Sequence, residues 1–160
     1  MEIFCTSIMT PVGNMSCFED NEQIVVLEWG QAPKGIETPL LKEAKAQLSA
    51  YFSGDLTDFD LPLDPQGTEH QKKVWKIMAA IPFAETITYG DIAKEIKSAP
   101  RAVGGACGKN PIPIIIPCHR VVGGGGKLTG FSGGEGVSTK IQLLQMEQAV
   151  AKSLEQPNLL

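Results

Sequence analysis

The sequence predicts a mixed α/β (α+β) fold. A small N-terminal β-sheet lobe with one helix comes first, at residues 1–65. A mostly helical C-terminal lobe follows at 66–160, with a helix-turn-helix and an active-site loop. Three observations lead there. Strand-like apolar runs crowd the first 30 residues, and helical apolar spacing dominates afterwards. The charge divides in the same way. Residues 1–65 hold three Lys and eleven acids, a net of −8, whereas residues 66–147 hold ten basic and six acidic side chains, a net of +4.

The run EIFCTSIM reads as a strand, TPVGN as a turn, and QIVVLEW as a β-branched strand ending near GQAPKG. In TPLLKEAKAQLSAYFSG, residues Leu40, Leu41, Ala44, Leu48, Tyr51 and Phe52 recur at helical spacing, and Gly54 stops the helix. The Asp- and Pro-rich DLTDFDLPLDPQG reads as a linker and places the lobe boundary. Beyond it, Val74, Trp75, Ile77, Met78 and Ile81 form one apolar stripe that Pro82 ends. The short helical pieces DIAKEI and PRAVGGACGKN, joined by KSA, read as a helix-turn-helix in the basic half. PIPIIIPCHRVV is too proline-rich for a helix, and a glycine-rich loop follows it. VSTKIQLLQMEQAVAKSL closes the chain as an amphipathic helix.

A length of 160 residues suits one domain, or a small lobe with a larger one. With 42% hydrophobic and 20% charged residues, the core needs no covalent staples. No apolar run approaches the roughly 20 residues of a membrane span, and the N-terminus lacks the basic-then-apolar pattern of a secretory signal. The expectation is a cytoplasmic protein (nuclear in a eukaryote), free of membranes, whose thiols stay reduced. Cys5, Cys17, Cys107 and Cys118 show no CxxC pairing, so no metal site is expected. The net charge of −4 argues against a nucleic-acid partner, but the split allows a polyanion to be met by one side only. An accidental split is the alternative.

Cys118 and His119 carry the chemistry. A free thiol has a pKa of roughly 8.5 and needs a base or cation to become a nucleophile. In a plain strand, neighbouring side chains point to opposite faces. A direct contact therefore requires a bend at Pro117 and before it, or a water that carries the proton. The imidazole also wants an orienting carboxylate, and Glu147 on the closing helix is the candidate. Taken alone, the pair is weak evidence and fits a buried structural cysteine beside a core histidine better.

The wider pattern is more specific. NPIPIIIPCHRVV resembles the active-site signature of the O6-alkylguanine-DNA alkyltransferases, or methylated-DNA–protein-cysteine methyltransferases. The likeness continues through GKLTGFSGG, Lys140 to Glu147, RAVGGA, TYGDIA and Val74–Trp75, and is weaker before residue 50. It implies single-turnover DNA repair: an alkyl group moves from guanine O6, and from O4 of alkylated thymine, to Cys118. No cofactor or metal takes part. By similarity, His119, a bridging water and Glu147 generate the thiolate, Asn110 braces the turn, and Tyr89 donates to the guanine ring. Val121, Cys107, Phe131 and Ser132 would surround the alkylated base. Arg101 would enter the base stack of duplex DNA after flipping, a few kcal/mol event. Ala102, Gly104 and Gly105 would let its helix approach the minor groove, which reads little sequence. Tight helix packing is the other explanation for those small residues. The implied partner is duplex DNA carrying O6-alkylguanine, bound by a monomer.

The chain departs from the pattern in places. The segment from Tyr89 to Arg101 is about two residues short, and about two extra residues precede Lys140. Phe131 replaces a tyrosine and Ala84 a turn glycine. His70 stands where Phe is common and reads as exposed or as a DNA-backbone contact. Cys5 and Cys17 lack the histidines of the zinc site in some animal members. A non-catalytic lesion sensor would lack the motif cysteine. A cysteine hydrolase leaves the helix-turn-helix unexplained, and a methylation-responsive regulator needs a further metal-binding domain.

Overall fold

The computed structural model describes residues 2–128, 134 and 136–155. A three-stranded antiparallel sheet opens the chain in the order β1 (Phe4–Thr10), β2 (Gly13–Asp20), β3 (Gln23–Trp29). β1 and β2 pair from Phe4↔Glu19 to Thr10↔Gly13 across the turn at Pro11–Val12. Asn21 and Glu22 join β2 to β3 with φ of 51° and 62°. Two successive positive φ values mark a turn whose twist matches that of the strands. β2, with the sequence GNMSCFED, carries Gly, Asn and Asp, which strand propensity disfavours. Its alternating Met15 and Cys17 are fully buried, so packing overrides propensity.

Helix α1 (Pro39–Phe52) lies against β1 and β2. Thr38 caps it by accepting from the Leu41 amide, and Pro39 fits the first turn, where a missing N–H does no harm. Leu41, Ala44, Leu48 and Tyr51 form its buried face. The Asp- and Pro-rich stretch is no free linker, contrary to the sequence expectation. It straps the edge of β3: Ile24 N donates to Pro62 O at 2.8 Å and Asp64 N to Ile24 O at 2.9 Å. These bonds satisfy a strand edge that would otherwise stand open.

Helices α2 (Glu69–Ala79), α3 (Tyr89–Ile96) and α4 (Pro100–Gly108) pack together. Capping boxes start α2 at Thr68/Gln71 and α3 at Thr88/Asp91. The helix-turn-helix is present despite its short turn, because Lys97 ends α3 in the left-handed region at φ 54°. His70 is not fully exposed. It is half-buried and bonded through Nε2 to Ser98 Oγ at 2.9 Å, which holds that turn. Trp75 Nε1 donates to Ala106 O at 2.9 Å and pins α2 to α4.

A small parallel pair, β4 (Ile87–Thr88) with β5 (Val121–Val122), was not foreseen. It sets the start of α3 beside the Cys-His segment. Helix α5 (Val137–Glu155) then packs against residues 118–120. One apolar core runs from Ile8, Met15 and Leu27 through Leu48 and Trp75 to Val103 and Leu143. Leu27 N also donates to Pro111 O at 2.9 Å, which fastens the sheet to the segment leading into the site.

Candidate active site

The chain bends where a plain strand would have separated cysteine from histidine. Pro117 sits at φ −81°, ψ 72°, and Cys118–Arg120 form a single 3-10 turn. Cys118 N donates to Ile116 O at 2.8 Å and Arg120 N to Pro117 O at 3.0 Å. Asn110 braces the approach from both sides of its amide. Nδ2 donates to Ile116 O at 2.8 Å, and Oδ1 accepts from Ile112 N at 3.0 Å. Between them Ile114 is held at φ 74°, a strained conformation for a β-branched residue.

Cys118 is 8% exposed. Burial pushes its thiol up, partly offset by the Asn110 amide, the Lys140 charge and nearby backbone amides. His119 is fully buried and its Nε2 lies 2.7 Å from Glu147 Oε2. Burial also drives the pKa of Glu147 upward, but His119 and Arg120 outweigh it and bring the carboxyl down to about 2. Glu147 is therefore a carboxylate and can only accept, so Nε2 carries the ring proton. Nδ1 is buried and has no hydrogen-bond partner among the described residues. Burial lowers the pKa of His119, and the Arg120 and Lys140 charges act in the same sense against the Glu147 carboxylate. The result is a neutral imidazole whose remaining lone pair is free to take a proton.

Glu147 docks in register despite the extra residues before Lys140. Arg120 grips it with Nε on Oε1 at 2.9 Å and Nη2 on Oε2 at 3.0 Å, while Nη1 donates to Ile81 O at 2.7 Å. The Ala84 amide donates to Oε1 at 3.1 Å, with Ala84 at φ 65° where a glycine would rest unstrained. The Tyr51 hydroxyl donates to Oε2 at 2.5 Å. Sequence reasoning assigned no role to Arg120, Tyr51 or the Ala84 amide. Only Arg120, next to the Cys-His pair, offered a signal. A tyrosine at helical spacing reads as core.

Tyr89 opens α3 and is half-buried. Burial, then Cys107 and Cys118, push its phenol up to about 12, so it stays a donor. The Lys140 ammonium lies 5.7 Å from the Tyr89 ring centroid and donates to Val121 O at 2.6 Å. Tyr89, Gly90, Arg101, Gly104 and Gly124 line an open cleft of about 620 Å³. Cys118, Cys107 and Val121 do not line that cleft; Val121 is buried in the core, and Cys107 lies 3.4 Å from Met78 Sδ and near enough to Cys118 for the two thiols to disfavour each other's ionisation. Phe131 and Ser132 lie outside the described residues. At the loop's far end, a Cβ on Gly134 would meet Thr139 Oγ1 at 2.6 Å and Trp29 Nε1 at 3.0 Å, so the backbone packs tightly there.

Helix α4 presents Arg101, Ala102 and Gly105 to solvent, with Gly104 half-buried. A Cβ added at Gly104 or Gly105 would meet nothing within 4 Å. Packing against the described residues therefore does not explain these glycines. Among the described residues no group of three His, Cys, Asp or Glu side chains could hold a metal ion, and no helix is long and apolar enough to cross a membrane.

Known proteins resemble the chain along nearly its whole length. Residues 69–149 match the DNA-binding domain of 6-O-methylguanine DNA methyltransferase, and residues 3–65 its ribonuclease-like domain. A methylated-DNA–protein-cysteine methyltransferase of Methanosarcina acetivorans is 45% identical over 148 residues, covering 86% of this chain and 94% of the relative. The crystal structure of Mycobacterium tuberculosis O6-methylguanine methyltransferase superposes with a TM-score of 0.80 at 38% identity, covering 96% of this chain and 99% of that one. A crystal structure of Mycobacterium tuberculosis OGT in complex with DNA gives 0.83 at 41% identity, covering 92% and 94%.

Proposed function

This chain belongs to the 6-O-methylguanine DNA methyltransferase family, and from that premise we infer that it is a methylated-DNA–protein-cysteine S-methyltransferase, a DNA repair protein that moves an alkyl group from DNA onto its own Cys118. The substrate proposed is O6-alkylguanine in duplex DNA, with O4-alkylthymine as a second lesion. Sγ of Cys118 attacks the alkyl carbon, the S–C bond forms, and the C–O6 bond breaks. The thiol proton passes through a bridging water to Nδ1 of His119. Guanine leaves as an anion while Tyr89 donates a hydrogen bond to its ring, and over the whole step it gains the proton the thiol lost. The thioether product is a very poor leaving group, so one molecule repairs one lesion.

The observation that carries this reading is the state of His119. Its Nε2 is committed to a carboxylate at 2.7 Å, and its Nδ1 is a buried base, without a partner among the described residues, on the residue next to the thiol. Arg101 is proposed to occupy the stack left by the flipped nucleotide, with Ala102, Gly104 and Gly105 against the minor groove. Residues 66–160 would then form the DNA-binding and transfer lobe and residues 1–65 a supporting lobe, in a monomer acting in the cytoplasm. Intact mass after incubation with duplex DNA containing O6-methylguanine tests the reaction. The expected result is a gain of one methylene that stops at one equivalent and maps to Cys118. Repeated turnover, or a gain on Cys5, Cys17 or Cys107, would overturn it.

A further inference from the structure

The relay described above ends on Glu147, and one of its partners comes from the far end of the fold. Tyr51 lies on α1, 96 residues away in sequence, and its hydroxyl donates to Glu147 Oε2 at 2.5 Å. That oxygen is the one His119 Nε2 approaches at 2.7 Å. The Tyr51 side chain is fully buried, with Phe52 edge-on at 5.0 Å, Phe59 at 5.3 Å and Phe83 at 6.2 Å between ring centroids. Phe83 also carries the Arg120 guanidinium at 5.6 Å. Three aromatic neighbours thus fix the ring, and the ring fixes the hydroxyl on the relay carboxylate.

We propose that Tyr51 is a positioning residue for alkyl transfer, which holds Glu147 Oε2 on His119 and draws off part of its negative charge. The proposal rests on the His119–Glu147 relay. A carboxylate that also accepts from Tyr51 is a weaker acceptor toward imidazolium, so His119 stays neutral and ready to take the thiol proton. Among the described residues, the other charged groups that act on His119 are Arg120 and Lys140. Arg120 and Lys140 act in the same direction as Tyr51, and neither shares Oε2 through a neutral donor. Burial, then the Glu147 charge and hydrogen bond, push the Tyr51 phenol upward, so it remains a donor across the pH range of the reaction.

The test reads thiol activation without DNA. Iodoacetamide modification of Cys118, followed by peptide mass between pH 4 and 8, gives an acid limb where His119 becomes protonated. Tyr51→Phe keeps the ring and removes the hydroxyl. The limb should move to higher pH by about half a unit or more, as expected when a carboxylate loses a hydrogen-bond donor. Phe52→Leu loosens the same packing and keeps the hydroxyl, so its limb should stay in place. A Tyr51→Phe profile that superimposes on the parent, or an equal shift in Phe52→Leu, overturns the proposal. Should Tyr51→Phe fail to fold, fluorotyrosine incorporated at position 51 alone, with Tyr89 left as tyrosine, replaces it. The more acidic phenol should move the limb to lower pH, and an unmoved limb overturns the proposal. His119→Gln separates this idea from its premise. A limb that survives there overturns the relay as well; one that vanishes there but ignores Tyr51 overturns the role of Tyr51 alone.

Discussion

His119 and Arg101 serve the same proposed reaction from opposite physical conditions. His119 is fully buried, and Glu147 beside it accepts from Arg120, Tyr51 and the Ala84 amide as well. Arg101 stands exposed at the start of a helix whose Gly104 and Gly105 face open space. The buried group is finished before any partner arrives: its dipoles are set, its charges paired, its tautomer fixed. The exposed group, on the proposed reading, is complementary to DNA that the chain does not contain. Catalytic geometry here is a property of folding, whereas recognition geometry is a property of the complex.

That contrast can be broken most directly at Cys118. Cys118→Ala should abolish alkyl transfer and leave DNA affinity unchanged in a binding titration, because a thiol that is 8% exposed offers little surface to a phosphate. Transfer surviving in the variant, or affinity lost with it, would join what the contrast separates.

Glu147→Gln should be the most damaging change to the fold itself. It leaves Arg120 buried beside a neutral amide, and unpairing such a charge costs about 3–5 kcal/mol. Acid should act in the same way. The unfolded chain protonates an ordinary histidine near pH ~6.5 and a glutamate near ~4.3. The folded chain resists both protons, because the pKa of His119 is lowered and Glu147 lies at about 2. Stability is then fully present above pH ~6.5 and falls as the pH drops, first through His119 and then through Glu147. Thermal melts of the parent between pH 8 and 3 should show that decline, and Glu147→Gln should flatten its lower part. A parent melting point indifferent to pH would contradict the buried charge assignment.

Arg101→Ala should give the mirror image. Its melting point should stay within about 0.5 kcal/mol of the parent in stability terms, as for an exposed side chain. Repair of duplex DNA should slow roughly tenfold or more, in line with the few kcal/mol that flipping demands. Reaction with free O6-benzylguanine, which needs no flipping, should be spared. Equal losses on both substrates would move Arg101 into the buried category.

Gly104→Ala sharpens the comparison with the smallest effect. The added methyl meets nothing in the chain, so helix stability should rise by about 0.5–1 kcal/mol. Affinity for duplex DNA should nevertheless fall, because the helix could no longer lie as close to a narrow groove. Higher stability without weaker binding would put the groove elsewhere.

The sequence was most readable where one local rule decided the outcome. The stripe on α1, the apolar face of α2 and the two helices around residues 97–99 follow from spacing and breakers alone. Cys118 and His119 stood out by pattern, and Glu147 by its position in a resembling motif. What stayed hidden depended on distant pairing. β2 carries Gly, Asn and Asp and becomes a strand only because its neighbours supply both edges. β4 and β5 have two residues each, too few for any periodicity, yet they set Tyr89 beside the Cys-His turn. Tyr51 looked like ordinary core because nothing local to α1 reveals a carboxylate 96 residues away. The strap at residues 55–67 read as a linker because its Pro and Asp content hides a partner, the edge of β3, that only the tertiary fold supplies.

The shielding of Cys118 has a further consequence. With 8% of its surface open and its thiol raised by burial, the residue rests as the thiol, the form less open to oxidation. A protein that can fire only once has most to lose from misfiring. On the proposed reading, burial acts as a safety catch on the sulfur, released only by a substrate that presents its alkyl carbon to it.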